Sequence, residues 1–287
     1  MKFGLALFGI SPRHYGTVAA AAEQHGFESV WIPEHLVFPA EMPPTYPYTD
    51  SGFPPVNPST PLYDPWVVLA SIAAVTERVR LGTQIYVLPL RHPLVTARAV
   101  VTLDRLSGGR VTMGVGVGWL EQEFDIVGLS PRDRGKRTDE IIELLRRLWT
   151  EETVEHHGAA ADFAPVRFEP KPVQKPPIEV GGAAPAALRR AGRLGDGWIE
   201  IGARDVEHLG EMLRVVEQHR RDAGRDHLPF EVTTTGDKVP DVDAIRHARD
   251  VGVTRVIAGP VYSGERMTPE SIMDWAKRYA DDVITRA

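Results

Sequence analysis

The chain has 287 residues, with 33 Lys and Arg against 39 Asp and Glu and a formal net charge of -6, which excludes the basic surface that nucleic-acid binding requires. There is no cysteine, so thiol catalysis, disulfides and cysteine-held metals are excluded. Apolar residues make up 43% and charged residues 25%, the ordinary balance of a soluble globular enzyme, and no apolar run of about 18 residues predicts a membrane span.

Phe3 to Gly9 reads as a first buried strand, preceded by no signal peptide, so a cytoplasmic protein is expected. Tyr15 to His25 is alanine-rich at helical spacing and stops at Gly26. Ser29 to Pro33 is a second strand, with Glu34 and His35 at its C-terminal end. The proline-rich stretch from Phe38 to Tyr63 carries Tyr46, Tyr48 and Phe53; a loop of that length is either a lid that shapes a substrate pocket or a disordered segment. Asp64-Pro65 supplies an N-cap and an N1 proline for a helix to about Thr76. Val79 to Val87 is a third strand, and Pro93 opens a helix that ends at Leu106.

Val111 to Val117 reads as a fourth strand running through a glycine-rich turn into a helix. Gly114, Gly116 and Gly118 alternate, which at strand periodicity aims all three the same way and leaves room for a flat group against the backbone. A close helix-strand crossing is the other explanation for such glycines. Pro131 to Thr150 is a long amphipathic helix with Ile141, Leu144, Leu145 and Leu148 on one face, followed by an extended excursion over 151-176. Strands at Ile178-Gly182, Gly197-Ile201, Phe230-Thr235 and Thr254-Gly259 then alternate with helices, the last reaching about Ile284. Eight strand-helix pairs with near-continuous apolar strands predict one (β/α)8 TIM barrel over residues 1-287, with a long insertion after strand 2.

In that fold the active site lies at the C-terminal strand ends, from Glu34 and His35 round to the Pro260-Tyr262 segment. No metal site is expected: His156-His157 reads as solvated, and no second histidine-carboxylate cluster joins Glu34-His35. No serine-nucleophile motif occurs. Gly181-Gly182-Ala183 before a helix offers unblocked N-H groups at a positive dipole end, suited to a phosphate. Arg132, Arg134 and Arg137, which open the long helix, either add charge there or form a solvated first turn. A glycine-lined slot beside an anion site points to a planar cofactor with a phosphate tail, such as a flavin or deazaflavin.

With these residues placed, the chain resembles the luciferase-like monooxygenase superfamily, in particular its actinobacterial deazaflavin-dependent oxidoreductases. The matching pieces are Ser29-Val-Trp-Ile-Pro-Glu-His35, Leu81-Gly-Thr-Gln-Ile-Tyr86, Arg91-His-Pro-Leu-Val-Thr-Ala-Arg98, Leu103-Asp-Arg-Leu-Ser-Gly-Gly-Arg110, the run from Gly114 to Phe124, and Val180-Gly-Gly-Ala-Ala-Pro185 with Gly195-Asp-Gly-Trp198. The resemblance implies coenzyme F420, or FMN as the alternative, at the C-terminal face. It implies a bulged third strand near Gln84-Ile85, often with a non-proline cis peptide there, and His35 beside the reacting ring as the catalytic residue. Cofactor contacts are accordingly expected from Gln84, Ile85, Gly114, Gly116, Trp119, Arg134, Arg137, Gly181, Gly182 and Ala183, in a homodimer. Two departures stand out: Trp119 replaces the glutamate that can donate a proton directly after the glycine run, and Val117 replaces the phosphate-binding arginine of the luciferases proper. The implied activity is hydride transfer between F420 and a small organic substrate, the alternatives being an FMN-dependent monooxygenase using oxygen and a non-catalytic flavin- or ligand-binding barrel.

Overall fold

The computed structural model describes residues 1-260 and 267-287. Eight parallel strands close on themselves: β1 (Lys2–Ala6), β2 (Ser29–Ile32), β3 (Arg80–Thr83), β5 (Val111–Gly116), β8 (Ile178–Gly181), β9 (Gly197–Ile199), β10 (Glu231–Thr235) and β11 (Arg255–Ala258). β1 pairs with β11 and β2, and β3 pairs with β5, so the barrel has no open edge. The helices α1 (Tyr15–Gln24), α2 (Pro65–Ala73), α3 (Pro93–Leu106), α4 (Glu121–Ile126), α5 (Arg134–Thr150), α6 (Pro185–Leu194), α7 (Val206–Asp222), α8 (Val242–Val251) and α9 (Pro269–Tyr279) surround it.

The local chemistry fixes where these helices begin. Asp64 accepts hydrogen bonds from the N-H groups of Trp66 and Val67, and Pro65 sits where no donor is needed. Thr268 and Ser271 form a reciprocal capping box ahead of α9. The main core lies between strands and helices, where Leu5, Val30, Leu81 and Val180 are wholly or almost wholly buried. A second, smaller cluster of Ala6, Trp31, Ile199 and Ile257 fills the inside of the barrel. Trp31 lies so close to Gly4 and Gly82 that a Cβ at either would sit 2.5 or 2.4 Å from its indole. Those two glycines are there to admit the tryptophan.

Below Trp31 the barrel floor is ionic. Arg255 donates to Glu179 at 2.7 and 2.9 Å and to Glu231 at 2.9 Å, and Glu28 lies 3.3 Å from its Nε. Burial works against the Arg255 charge, but the three carboxylates hold its pKa above the usual arginine value.

Several expectations need correction. The third strand is bulged with a cis Gln84-Ile85 peptide, as the resemblance implied, so the single strand expected over Val79 to Val87 breaks after Thr83 and resumes as β4 (Tyr86–Val87). The excursion over 151-176 contains an antiparallel pair, β6 (Val154–His157) and β7 (Asp162–Val166). This hairpin carries little alternating apolar signal because most of its residues face solvent. His156 is not simply solvated, since its Nε2 lies 2.8 Å from Glu140. Gly118 does not share a face with Gly114 and Gly116: β5 has ended, its φ is +79°, and a Cβ there would meet Val87 and Phe124. Val261 and Tyr262, expected just past the eighth strand at the barrel mouth, lie outside the described residues. The insertion between β2 and α2 has neither helix nor strand, and its turns close through bonds such as Tyr46 N-H to the Gly52 carbonyl at 2.7 Å.

Candidate functional site

The ends of β2 and β5 place His35 and Glu123 at the same point of the barrel mouth. His35 Nδ1 lies 2.8 Å from Glu123 Oε2, while Oε1 of the same carboxylate accepts the N-H groups of Leu36 at 2.7 Å and Val37 at 3.3 Å. Trp119 Nε1-H donates to His35 Nε2 at 3.3 Å. An indole N-H can only donate, so this contact gives Nε2 the acceptor role and places the ring proton on Nδ1. That proton is donated to Glu123, whose side chain is 0% exposed. Residue 34 points elsewhere, as alternation on an extended chain requires. Glu34 accepts the Val87 N-H at 2.8 Å and pairs with Arg91. Burial pushes the Glu34 carboxyl up, against the pull of Arg91.

The expected slot over the glycine strand is filled by the protein itself. A Cβ at Gly114 would lie 1.9 Å from the Thr83 carbonyl oxygen and 2.6 Å from Ile199. At Gly116 it would lie 3.2 Å from Ile85 Cγ2, and at Gly181 2.0 Å from Ile85 Cδ1. The missing side chains therefore accommodate the Thr83-Ile85 break in the third strand. Ile85 bridges the two glycine faces and, half-buried, offers the apolar pad on which a flat ring can rest. Gln84 sits beside it, tied to β2 by its N-H to the Ile32 carbonyl at 2.8 Å.

The turn ahead of α6 also differs from a set of free donors. Gly182 N-H is bonded to the Ile199 carbonyl at 3.2 Å, and the Ala183 N-H is directed at the Tyr48 hydroxyl. Tyr48 reaches the turn because Gly202 has no side chain; a Cβ there would be 2.8 Å from its ring. Edge-to-face contacts then run from Tyr48 to Tyr46 (5.4 Å between centroids) and from Tyr46 to Trp119 (5.1 Å). Burial raises the pKa of both tyrosines, so both are neutral hydroxyls. Ala184 caps α6 without a side-chain acceptor, which leaves the positive end of the helix to whatever reaches it.

The two arginines divide. Arg137 spends its donors on the carbonyls of Pro89 at 2.8 Å, Ala159 at 3.3 Å and Arg91 at 3.3 Å, so it clasps the main chain and presents no free fork to a phosphate. Arg134 bonds the Pro131 carbonyl and approaches Glu121 at 3.4 Å, and it keeps part of its surface exposed.

Sequence reasoning did not pair Glu123 with His35, and it did not place Tyr46 and Tyr48 over the mouth. Glu200, which the sequence offers as a polar group at the end of the sixth strand without a role, is fully buried and accepts from Ala203 N-H and from Thr234 Oγ1 at 2.9 Å. Burial raises the Glu200 pKa. Among the described residues no three His, Asp or Glu side chains converge as a metal site, and no helix is long and apolar enough to cross a membrane. A groove of about 680 Å³ beside α1, lined by Arg13, Gly16, Gln24 and Val75, holds none of the mouth's titratable groups.

Comparison with known proteins completes the description. The family model for luciferase-like monooxygenases matches residues 4–278. An uncharacterized protein of Mycobacterium tuberculosis is 36% identical over 259 residues, covering 90% of this chain and 89% of that one. An F420-dependent glucose-6-phosphate dehydrogenase of Nakamurella multipartita is 35% identical over 193 residues, which is 66% of this chain but only 52% of the dehydrogenase. Among solved structures, a monooxygenase from Streptomyces bottropensis superposes with a TM-score of 0.77 at 24% identity, over 99% of both chains. An F420-dependent secondary alcohol dehydrogenase, bound to an F420-acetone adduct, gives 0.78 at 18% identity over 100% of this chain and 99% of its own. At those identities the two structures speak for the fold.

Proposed function

Because the chain belongs to the luciferase-like monooxygenase family, we propose that it is an oxidoreductase that transfers a hydride between coenzyme F420 and a small organic substrate, on one barrel unit spanning residues 1-287. The observation that carries this is His35 at the barrel mouth, held by the buried Glu123 carboxylate at Nδ1 with its Nε2 lone pair toward Trp119. The F420-dependent dehydrogenase among the relatives supports F420 over FMN, as does Val117 in place of a phosphate-binding arginine.

The residues fit such a cofactor. The Tyr48 hydroxyl at the Ala183 N-H occupies a position suited to an anionic oxygen, in front of an α6 terminus that has no side-chain cap. The Ala183 N-H, in place of its contact with Tyr48, and the uncapped start of α6 would hold the phosphate with Arg134 as the part-exposed charge, while Gly181 and Gly182 give the turn its shape and Ile85, Gly116 and Trp119 would bound the ring. F420, when bound, supplies a two-electron carrier that gives or takes hydrogen at one ring carbon. The protein orients the substrate, keeps water from the mouth and handles the proton. His35 takes that proton at Nε2, with Trp119 Nε1-H turned aside, while Nδ1-H stays on Glu123. In the reductive direction the same nitrogen gives the proton back.

The test is anaerobic. Oxidation of reduced F420 with a panel of ketones, imines and activated alkenes supports the reading. Oxygen consumption with reduced FMN and product oxygenation would favour a monooxygenase, and cofactor binding without turnover under either condition would leave a non-catalytic barrel.

Two further outcomes are expected. Gly116→Leu drives a side chain into Ile85, whose Cγ2 is already 3.2 Å from the Cβ position, and tilts the pad. F420 affinity should be abolished in fluorescence titration while the thermal midpoint stays near that of the wild type; wild-type binding would show the pad to be elsewhere. A homodimer is proposed from Val67, Val95 and Leu106, exposed on α2 and α3 at 70%, 64% and 66%. Light scattering should give twice the chain mass, and a monomer at micromolar concentration would refute it.

A further inference from the structure

We infer that Glu123 is the positioning residue of the reaction: a single buried carboxylate that fixes the tautomer of His35 and, through the two following N-H groups, ties the start of the 38-63 insertion to the same point. The inference rests on the proposed role of His35 and assigns the group that makes His35 competent. Three consecutive residues wrap this carboxylate, with His35 Nδ1 on one oxygen and the N-H groups of Leu36 and Val37 on the other. Glu123 and His35 are separated by 88 positions, and they meet because β5 and β2 both pair with β3 and end at the same rim. Trp119 gives an independent reading of the tautomer, because its N-H at Nε2 is compatible only with Nδ1-H. The carboxylate makes no other ion pair among the described residues than the one with His35.

Glutamine at 123 separates positioning from mere space filling. Two N-H donors face one oxygen position and one ring nitrogen faces the other, so the amide oxygen turns to Leu36 and Val37 and the amide NH2 faces Nδ1. His35 must then accept at Nδ1 and carry its proton on Nε2, where it also opposes the Trp119 N-H. The group that should take a proton has none of its lone pair left at the reacting side.

The experiment is long-range 1H-15N correlation of histidine-labelled full-length protein without ligand, with the His35 signals assigned by their loss in His35→Gln. The wild type should show the Nδ1-H tautomer. Glu123→Gln should show Nε2-H, with turnover reduced by roughly 10²–10⁴-fold, the span of one acid-base group, and a KM that changes much less. Trp119→Phe should keep Nδ1-H, because the carboxylate alone suffices. A wild-type Nε2-H tautomer overturns the inference even if Glu123→Gln fails to fold, and so does an unchanged tautomer in Glu123→Gln or a mixed one in Trp119→Phe. A flipped tautomer with unchanged turnover leaves Glu123 in its geometric role but removes His35 from the reaction, which is a failure of the proposed function and not of the assignment.

Discussion

His35→Ala should lower turnover by roughly 10²–10⁴-fold, the usual contribution of a positioned acid-base group, while F420 affinity changes far less. The side chain bonds both the buried Glu123 carboxylate and the Trp119 indole. Its neutral Nε2 is free to receive a proton once the indole turns. A purely architectural His35 gives a different signature. Its loss would strand one oxygen of Glu123 and the Trp119 N-H, at a cost of about 1–3 kcal/mol for unsatisfied buried groups, with turnover per folded molecule intact. Thermal midpoint, cofactor affinity and turnover measured on the same variant separate the two. Unchanged turnover would retire the catalytic role.

The second large effect is expected at the opposite end of the barrel. Arg255→Met removes the guanidinium paired with Glu179, which is 2% exposed and among the described residues would keep the Thr233 hydroxyl at 3.2 Å. Removing one partner of a buried pair costs about 3–5 kcal/mol, and each kcal/mol moves the midpoint of a domain of this size by about 2–4 °C. Burial already raises the Glu179 pKa against the pull of Arg255. A carboxyl whose folded pKa lies above its unfolded value contributes stability that is present at low pH and lost as pH rises through the folded pKa. Without the arginine the carboxyl can protonate, so the midpoint deficit should be smaller at pH 5 than at pH 8. Adding Glu179→Met should recover most of the loss, since an apolar replacement of a buried pair is often neutral. Turnover per folded molecule should be unaffected throughout, because the cluster lies under Trp31, away from the mouth. A deficit that is independent of pH would show that lost packing, not the stranded carboxylate, is responsible.

The sequence carried the barrel and left the inside of the mouth unread, for a physical reason. Strand runs, N1 prolines and caps such as Asp64 and Thr268 are local, so their positions could be read within a residue or two. The Gly114-Gly116 run was legible as space taken from a strand face, but not the identity of the occupant, which is Ile85 arriving from another strand. The same limit applies to Glu123. Its spacing from the glycine run put it near the mouth, yet only the closed barrel brings it against three consecutive residues, 35 to 37. Arg137 bonds three main-chain carbonyls, and in the sequence a basic first turn looks the same whether it faces an anion or carbonyls. The hairpin of β6 and β7 had no apolar alternation to announce it. Tyr48 could not be placed at all, since its seat depends on Gly202 and Gly182 being bare.

Fluorescence titration of the purified chain with F420 and FMN side by side is the most direct test of the central claim. Saturable F420 binding, lost in Gly116→Leu and retained in His35→Ala, with FMN bound far more weakly, is the expected result. FMN bound more tightly than F420, or neither bound at all, would contradict it.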